Sequence, residues 1–332
     1  MSNVERDPAE VQCGGVATAA EPEHELLEPR TVPLGGPRAM LVSRTLPNRD
    51  RRMVGAWCFA DFYGPTDITG QSGMQVPPHP HTGLQTVSWL LGGEVLHRDS
   101  LGNEQLVRPG ELNLMTAGFG ISHSEESPSG HGPVLHGVQL WVALPGDQRD
   151  VAPHFEHHGA LPVLSTADGD VTVLMGELAE AESPARTYTP LLGAELSVNA
   201  DRALRLPVQA EFEHAVLAMS DGISVDDQPL ANGSMLYLGP GRRDVLVRAD
   251  RPARALLLGG IPFEEQLVMW WNLVGRSHEE IVQARADWEH GRTAADPDGR
   301  FGTVRGYTGP ALPAPELPNV ELRARGRARR ST

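Results

Sequence analysis

The sequence predicts an all-β protein: two tandem β-domains, each a sandwich or barrel, followed by one short helix. Three observations lead there. Short apolar runs closed by glycine or proline recur along the chain, as in WCFADFYG, LQTVSWLLGG and HGVQLWVALPG. The 36 glycines and 28 prolines favour many turns over long helices. The same texture then appears a second time, beyond a linker near residues 145–168, so the 332 residues divide into two units of ordinary size.

Taken in order, residues 1–29 carry seven acidic side chains and no periodic apolar pattern, and read as a disordered acidic tail. Residues 30–150 form the first β-domain. Within HGVQLWVAL, Val138, Leu140, Val142 and Leu144 fall on one face and Gln139, Trp141 and Ala143 on the other, the period of a strand. Residues 151–310 form the second, through VTVLMGEL, AELSVNA, HAVLAMSDG, ISVDDQPLANGSMLYLGPG and DVLVRADRPARALLLGG. QLVRPGELNLMTAG and PLANGSMLYLGPG share a turn, a glycine and an apolar strand ending in glycine, a weak internal repeat. The helix begins at the capping box Ser277–Glu280, runs from His278 to His290 with Ile281, Ala284 and Trp288 at helical spacing, and stops at Gly291. Residues 311–332 end in an arginine-rich stretch that reads as a solvated basic tail.

Composition excludes several functions. The net charge of −15 opposes direct binding of duplex DNA, which needs a cationic surface. All 28 basic residues are arginine, which removes Schiff-base chemistry, a P-loop lysine and any lysine general base. Cys13 and Cys58 make no disulfide framework and imply a reducing, cytoplasmic setting, Cys58 being a small buried hydrophobe. No run is long enough for a membrane span.

The chemistry lies in two histidine pairs. His79 and His81 flank Pro80 in VPPHPHTG, so an extended backbone places both imidazoles on one face as two legs of a metal site. In a chain with 13 histidines, surface or hydrogen-bonded imidazoles are the competing reading. His123 and Glu125 repeat the spacing after a glycine-rich turn in GFGISHSEES. Alone, His123 reads as a core histidine and Glu125 as an exposed acid. Together the four make a three-imidazole, one-carboxylate set suited to a divalent transition metal with open positions.

The order glycine, five residues, His-x-His and a glycine-closed strand (Gly73, His79, His81, Gly92) is the first cupin motif. The wording PPHPHTGLQTVSWLLGG, MTAGFGISHSEES and HGVQLWVAL resembles the pirin family, from about residue 30 through EEIVQARADWE. That resemblance implies two tandem cupin barrels (double-stranded β-helix, or jelly-roll) and one metal, Fe(2+), on His79, His81, His123 and Glu125. It also implies either of two activities. One is a quercetin 2,3-dioxygenase-type opening of flavonol-like substrates with dioxygen, with Glu125 as the catalytic proton acceptor. The other is iron-dependent, redox-sensitive binding of a protein partner without turnover. A sugar isomerase is a third and weaker option, since no cationic cluster for a sugar phosphate accompanies the motifs. The chain departs from the general cupin pattern at Gln85, where a glutamate ligand is usual, and from the pirin wording at Trp270 and Trp271.

The remaining histidines receive plainer readings. His97 is an exposed hairpin residue, His131 and His136 are loop residues, and His154, His157 and His158 are a surface cluster in a linker. His214 is structural in a metal-free second domain. Phe59, Phe62, Leu114 and Met115 are candidate walls for a substrate cavity.

Overall fold

The computed structural model describes residues 11–13, 24–34, 40–294, 296 and 298–328. The expected repeat is present as two copies of one strand order. In the first unit a seven-stranded antiparallel sheet runs His154–His158, Leu112–Thr116, Leu84–Gly92, Val134–Ala143, Trp57–Asp67, Met40–Leu46 and Arg30–Leu34. Its companion four-stranded sheet runs Gln75–His81, Ile121–Glu126, Val95–Asp99 and Glu104–Val107. The second unit repeats this with Leu191–Val198, Ala253–Gly260, Glu213–Ala218 and Met235–Leu238 at the heart of its large sheet. Its small sheet is Arg202–Pro207, Asp244–Ala249, Ile223–Val225 and Gln228–Leu230. Each sheet pair encloses a core, the arrangement of a jelly-roll.

The two cores differ in kind. In the second unit Leu204 and Leu206 oppose Val247 and Val245 across the small sheet, and all four are buried in one apolar cluster. At the corresponding strands of the first unit His79 opposes His123 instead. Across the large sheet, Asn113, Ser88, Gln139, Asp61 and Arg44 stand directly opposite one another strand by strand, so they share one face. All five are buried. Buried polar groups need partners: Arg44 grips Asp61 through Nε and Nη2 at 2.7 and 2.8 Å, and Ser88 Oγ lies 2.9 Å from Gln139 Oε1. The second barrel has a mainly apolar interior and the first a buried polar face.

The outer faces of the large sheets meet. Trp57, fully buried, donates its indole N–H to the carbonyls of Leu192 and Gly259 in the second unit, both at 3.1 Å. Gly193 is required beneath that ring, because a Cβ there would sit 2.9 Å from Trp57. The helix His278–Ala294 runs past Gly291, and Ile281, Ala284 and Trp288 are its buried face, as the spacing predicts. Ser277 Oγ accepts from the Glu280 N–H at 3.3 Å, and Glu280 reaches back to the Arg276 N–H at 2.8 Å. Among the described residues no helix is long and apolar enough to cross a membrane.

Both termini depart from the tails expected of them. Residues 1–10 and 14–23 lie outside the described residues. His24–Leu27, however, is a strand paired with Met235–Leu238, and Val11–Cys13 pairs with Leu267–Trp270. Four residues with two leucines give too short a pattern to read, and their partner is more than two hundred residues away. The basic stretch 311–328 is likewise packed: Leu322 is buried, Trp288 Nε1 donates to Leu312 O at 2.8 Å, and Arg327 is buried in an ion pair with Glu213. A buried carboxylate demands a cation, and that demand is invisible in the arginine-rich sequence. PHFEHH is no linker but the edge strand of the first large sheet, so that sheet extends past residue 150.

Candidate metal centre

His79 and His81 come from Gln75–His81, where Pro77 and Pro78 create a register shift against Ile121–Glu126: two residues of the latter span three of the former. Proline cannot donate to a ladder, so a bulge forms at the paired prolines. One carbonyl of this bulge is used locally and a distant one serves the second ring. His79 Nδ1 lies 2.9 Å from Pro77 O, and His81 Nδ1 lies 3.0 Å from Asn272 O. A carbonyl oxygen can only accept, so both imidazoles carry their proton on Nδ1 and present a lone pair on Nε2. Asn272 follows Trp270 and Trp271. Trp271 has φ 54°, and both tryptophans are buried. This backbone acceptor has no side-chain signature and could not be read from the sequence.

The ligand nitrogens of His79, His81 and His123 converge, all lying within 4.8 Å of one another. His81 Nε2 and His123 Nε2 are 3.1 Å apart, and His79 Nε2 is buried with no hydrogen-bond partner. All three rings are fully buried. An orphaned lone pair beside two facing nitrogens fits a cation that accepts electron pairs from all three, so the donor set suits a divalent transition metal. Glu125 stands two residues beyond His123 on the same strand, buried, with Oε1 3.3 Å from Ser88 Oγ; the 4.8 Å group consists of the imidazoles. Tyr63 shares the inner face with Asp61. Burial, with the charge of Glu125 added, pushes its phenol well above the usual range, so it stays a neutral hydroxyl.

The surroundings correct several expectations. His97 is not exposed: it is buried, its Nδ1 3.4 Å from His123 Nδ1 and its Nε2 3.3 Å from Asp99 Oδ2, with Phe155 stacked on its ring at 4.5 Å. Of the proposed walls, Phe59 and Met115 share the inner face with Trp141, whereas Phe62 and Leu114 oppose Val138 and Val87 on the other face. Trp141 is the aromatic neighbour of the site, its ring 5.2 Å from His81 and stacked on Phe59 at 4.0 Å. Gln85 points elsewhere, donating to Thr116 Oγ1 and Arg186 O. The HFEHH histidines are split by the strand's alternation: His157 turns inward to Asn113 Oδ1 at 2.7 Å, and His154 and His158 flank Glu156 on the outer face. His214 is buried, and neither ring nitrogen has a hydrogen-bond partner. His131 is hydrogen-bonded to Gln71 O, and His136 lies edge-on to Phe62.

Burial lowers His81 from 6.5 to about 3 and holds His79 and His123 well below their ordinary value. An unfolded chain therefore binds protons at these sites before the folded one does, and the stability they confer is present above pH 6.5 and lost as pH falls toward 3. In chelator-treated protein the urea midpoint is expected to decline steadily across that window. A midpoint flat to pH 4 (roughly the middle of the window) would show that the three rings are not held neutral by the fold.

Comparison with known proteins agrees with this architecture. The family profile described as Pirin matches residues 39–142, and that described as Pirin C-terminal cupin domain matches residues 193–294. A Pseudomonas aeruginosa protein named "Putative quercetin 2,3-dioxygenase PA1205" is 46% identical over 289 residues, 87% of this chain and 89% of that protein. A pirin-like protein of Caulobacter vibrioides is 37% identical over 76% of this chain and 88% of its own length. The crystal structure of a quercetin 2,3-dioxygenase from Acinetobacter baumannii superimposes with a TM-score of 0.85 at 39% identity, covering 91% of this chain and 97% of that one. Two jelly-roll units of one strand order, a three-imidazole cluster in the first alone among the described residues, and relatives matched over nearly their whole length place this chain in the pirin family of two-domain cupins.

Proposed function

We propose that this protein is a metal-dependent dioxygenase of the quercetin 2,3-dioxygenase type, with iron(II) held by His79, His81, His123 and Glu125. The observation that carries the reading is the convergence of three imidazole nitrogens in a buried, polar-lined barrel. The relatives named as quercetin 2,3-dioxygenases, at 46% and 39% identity, support the reaction class. Glu125, two residues beyond His123 on the same strand and buried, would complete the ligand set. Iron held there would supply Lewis-acid and redox chemistry toward a flavonol and dioxygen.

The protein's own groups do the rest. Glu125 takes the proton of a flavonol hydroxyl, and Ser88 steadies the carboxylate oxygen it faces. Trp141, Phe59 and Met115, buried on the inner face, would keep water from the reacting face. Metal analysis of the purified protein, followed by anaerobic mixing with quercetin and admission of oxygen, tests the proposal. About one iron per chain and flavonol-dependent oxygen uptake are expected. Bound iron with no uptake on any flavonol would select the alternative, an iron-dependent, redox-sensitive protein-binding regulator.

A further inference from the structure

His97 and Asp99 are not ligands, yet they touch the metal centre from behind. We infer that they are positioning residues whose hydrogen-bond chain fixes the tautomer of His123, keeping its proton on Nδ1 and its Nε2 lone pair turned to the other imidazoles. The inference rests on the reading of His79, His81 and His123 as a metal set, and it assigns what the sequence and the fold left open: how the third imidazole is oriented. His79 and His81 have backbone carbonyls on Nδ1 to settle their tautomers. His123 has none. Its Nδ1 faces another imidazole, His97, at 3.4 Å.

An imidazole–imidazole contact has two senses, and something beyond it must choose. Asp99 does so. Its Oδ1 accepts from the N–H groups of Leu101 and Asn103 at 2.9 and 3.1 Å and from Asn103 Nδ2 at 3.1 Å. Its Oδ2 accepts from Asn103 Nδ2 at 2.8 Å and faces His97 Nε2 at 3.3 Å. Burial alone would raise this carboxyl, but the hydrogen bonds from His97 and Asn103 outweigh it and hold the group below its ordinary value. A carboxylate donates nothing, so His97 must point an N–H at it from Nε2. That leaves His97 Nδ1 as an acceptor, which takes the Nδ1–H of His123 and frees His123 Nε2. The stack of Phe155 on His97, at 4.5 Å and 14° between ring planes, keeps the ring in this plane. The opposite sense would place a His97 lone pair against the Asp99 carboxylate and a proton on His123 Nε2, where it would bond His81 Nε2 at 3.1 Å and close the site.

Asp99→Asn tests the chain with almost no change of shape. The backbone N–H groups of Leu101 and Asn103 pin the amide oxygen at the Oδ1 position, where the Asn103 side-chain amide can also donate, so the amide nitrogen takes the Oδ2 position and offers an N–H to His97 Nε2. His97 must then carry its proton on Nδ1, and His123 on Nε2. Nitrogen-15 correlation spectra of metal-free, full-length protein at mildly alkaline pH, where free imidazole is neutral, read every tautomer directly. Expected for the wild type are Nε2–H on His97 and Nδ1–H on His123, both reversed in Asp99→Asn, with the tautomers of His79 and His81 unchanged as internal controls. Zinc(II), used as a diamagnetic probe in competition with a chelator, should bind Asp99→Asn about 10–100-fold more weakly. His97→Phe keeps the stack on Phe155 and deletes the chain, and should show a similar loss. A wild-type His123 carrying Nε2–H, or an Asp99→Asn variant with unchanged His97 and His123 tautomers, would overturn the inference. Wild-type protein with the expected tautomers but no zinc binding would instead overturn the metal reading and leave the hydrogen-bond chain standing.

Discussion

His81→Ala is expected to strip the protein of its metal while leaving the fold in place. The residue supplies one of three convergent nitrogens, and its ring is pre-set by the Asn272 carbonyl at 3.0 Å. Removing an imidazole from a three-imidazole set costs more than removing an outer partner, whose loss typically weakens binding about 10–100-fold. Elemental analysis after dialysis should therefore find the variant nearly metal-free, and any oxygen uptake should vanish with the metal. His214→Ala, in the apolar interior of the second barrel, is the matched control and should retain full metal. Full metal in His81→Ala would refute the assignment of this cluster as the centre.

Glu125→Gln separates the two parts that the carboxylate is proposed to play. The amide keeps the size and the contact with Ser88 but cannot take a hydroxyl proton. General-base roles are worth about 10²–10⁴ in rate, so flavonol-dependent oxygen uptake should fall by that factor while the three imidazoles retain the metal. Metal content and oxygen uptake measured on the same preparation give the answer. Full metal with full turnover removes the acid–base role; full metal with the expected loss supports it. The two variants together distinguish a missing metal from a missing base.

The sequence determined a good deal of this protein by itself, because much of its information is local. Strand alternation in HGVQLWVAL, the capping box at Ser277 and the His-x-His spacing around Pro80 depend on backbone periodicity that is written residue by residue. The duplicated turn–strand pattern showed the second barrel, and the resemblance named the family. What the tertiary structure decided is who stands behind the ligands. Asn272 O meets His81 from a segment more than 190 residues away, and a backbone carbonyl has no letter in the sequence. His97 reads as an exposed hairpin residue, since HRDSLG looks like a turn. It is buried because Ile121–Glu126 pairs with Val95–Asp99 and places His123 opposite Asp99, with Phe155 closing over the ring. Leu27 and Arg327 read as parts of tails because their partners, Met235 and Glu213, lie across the fold. Period and propensity specify elements and the faces they show; only the pairing of distant strands specifies which polar group must satisfy which, since a buried donor or acceptor is answered by whatever the fold brings beside it.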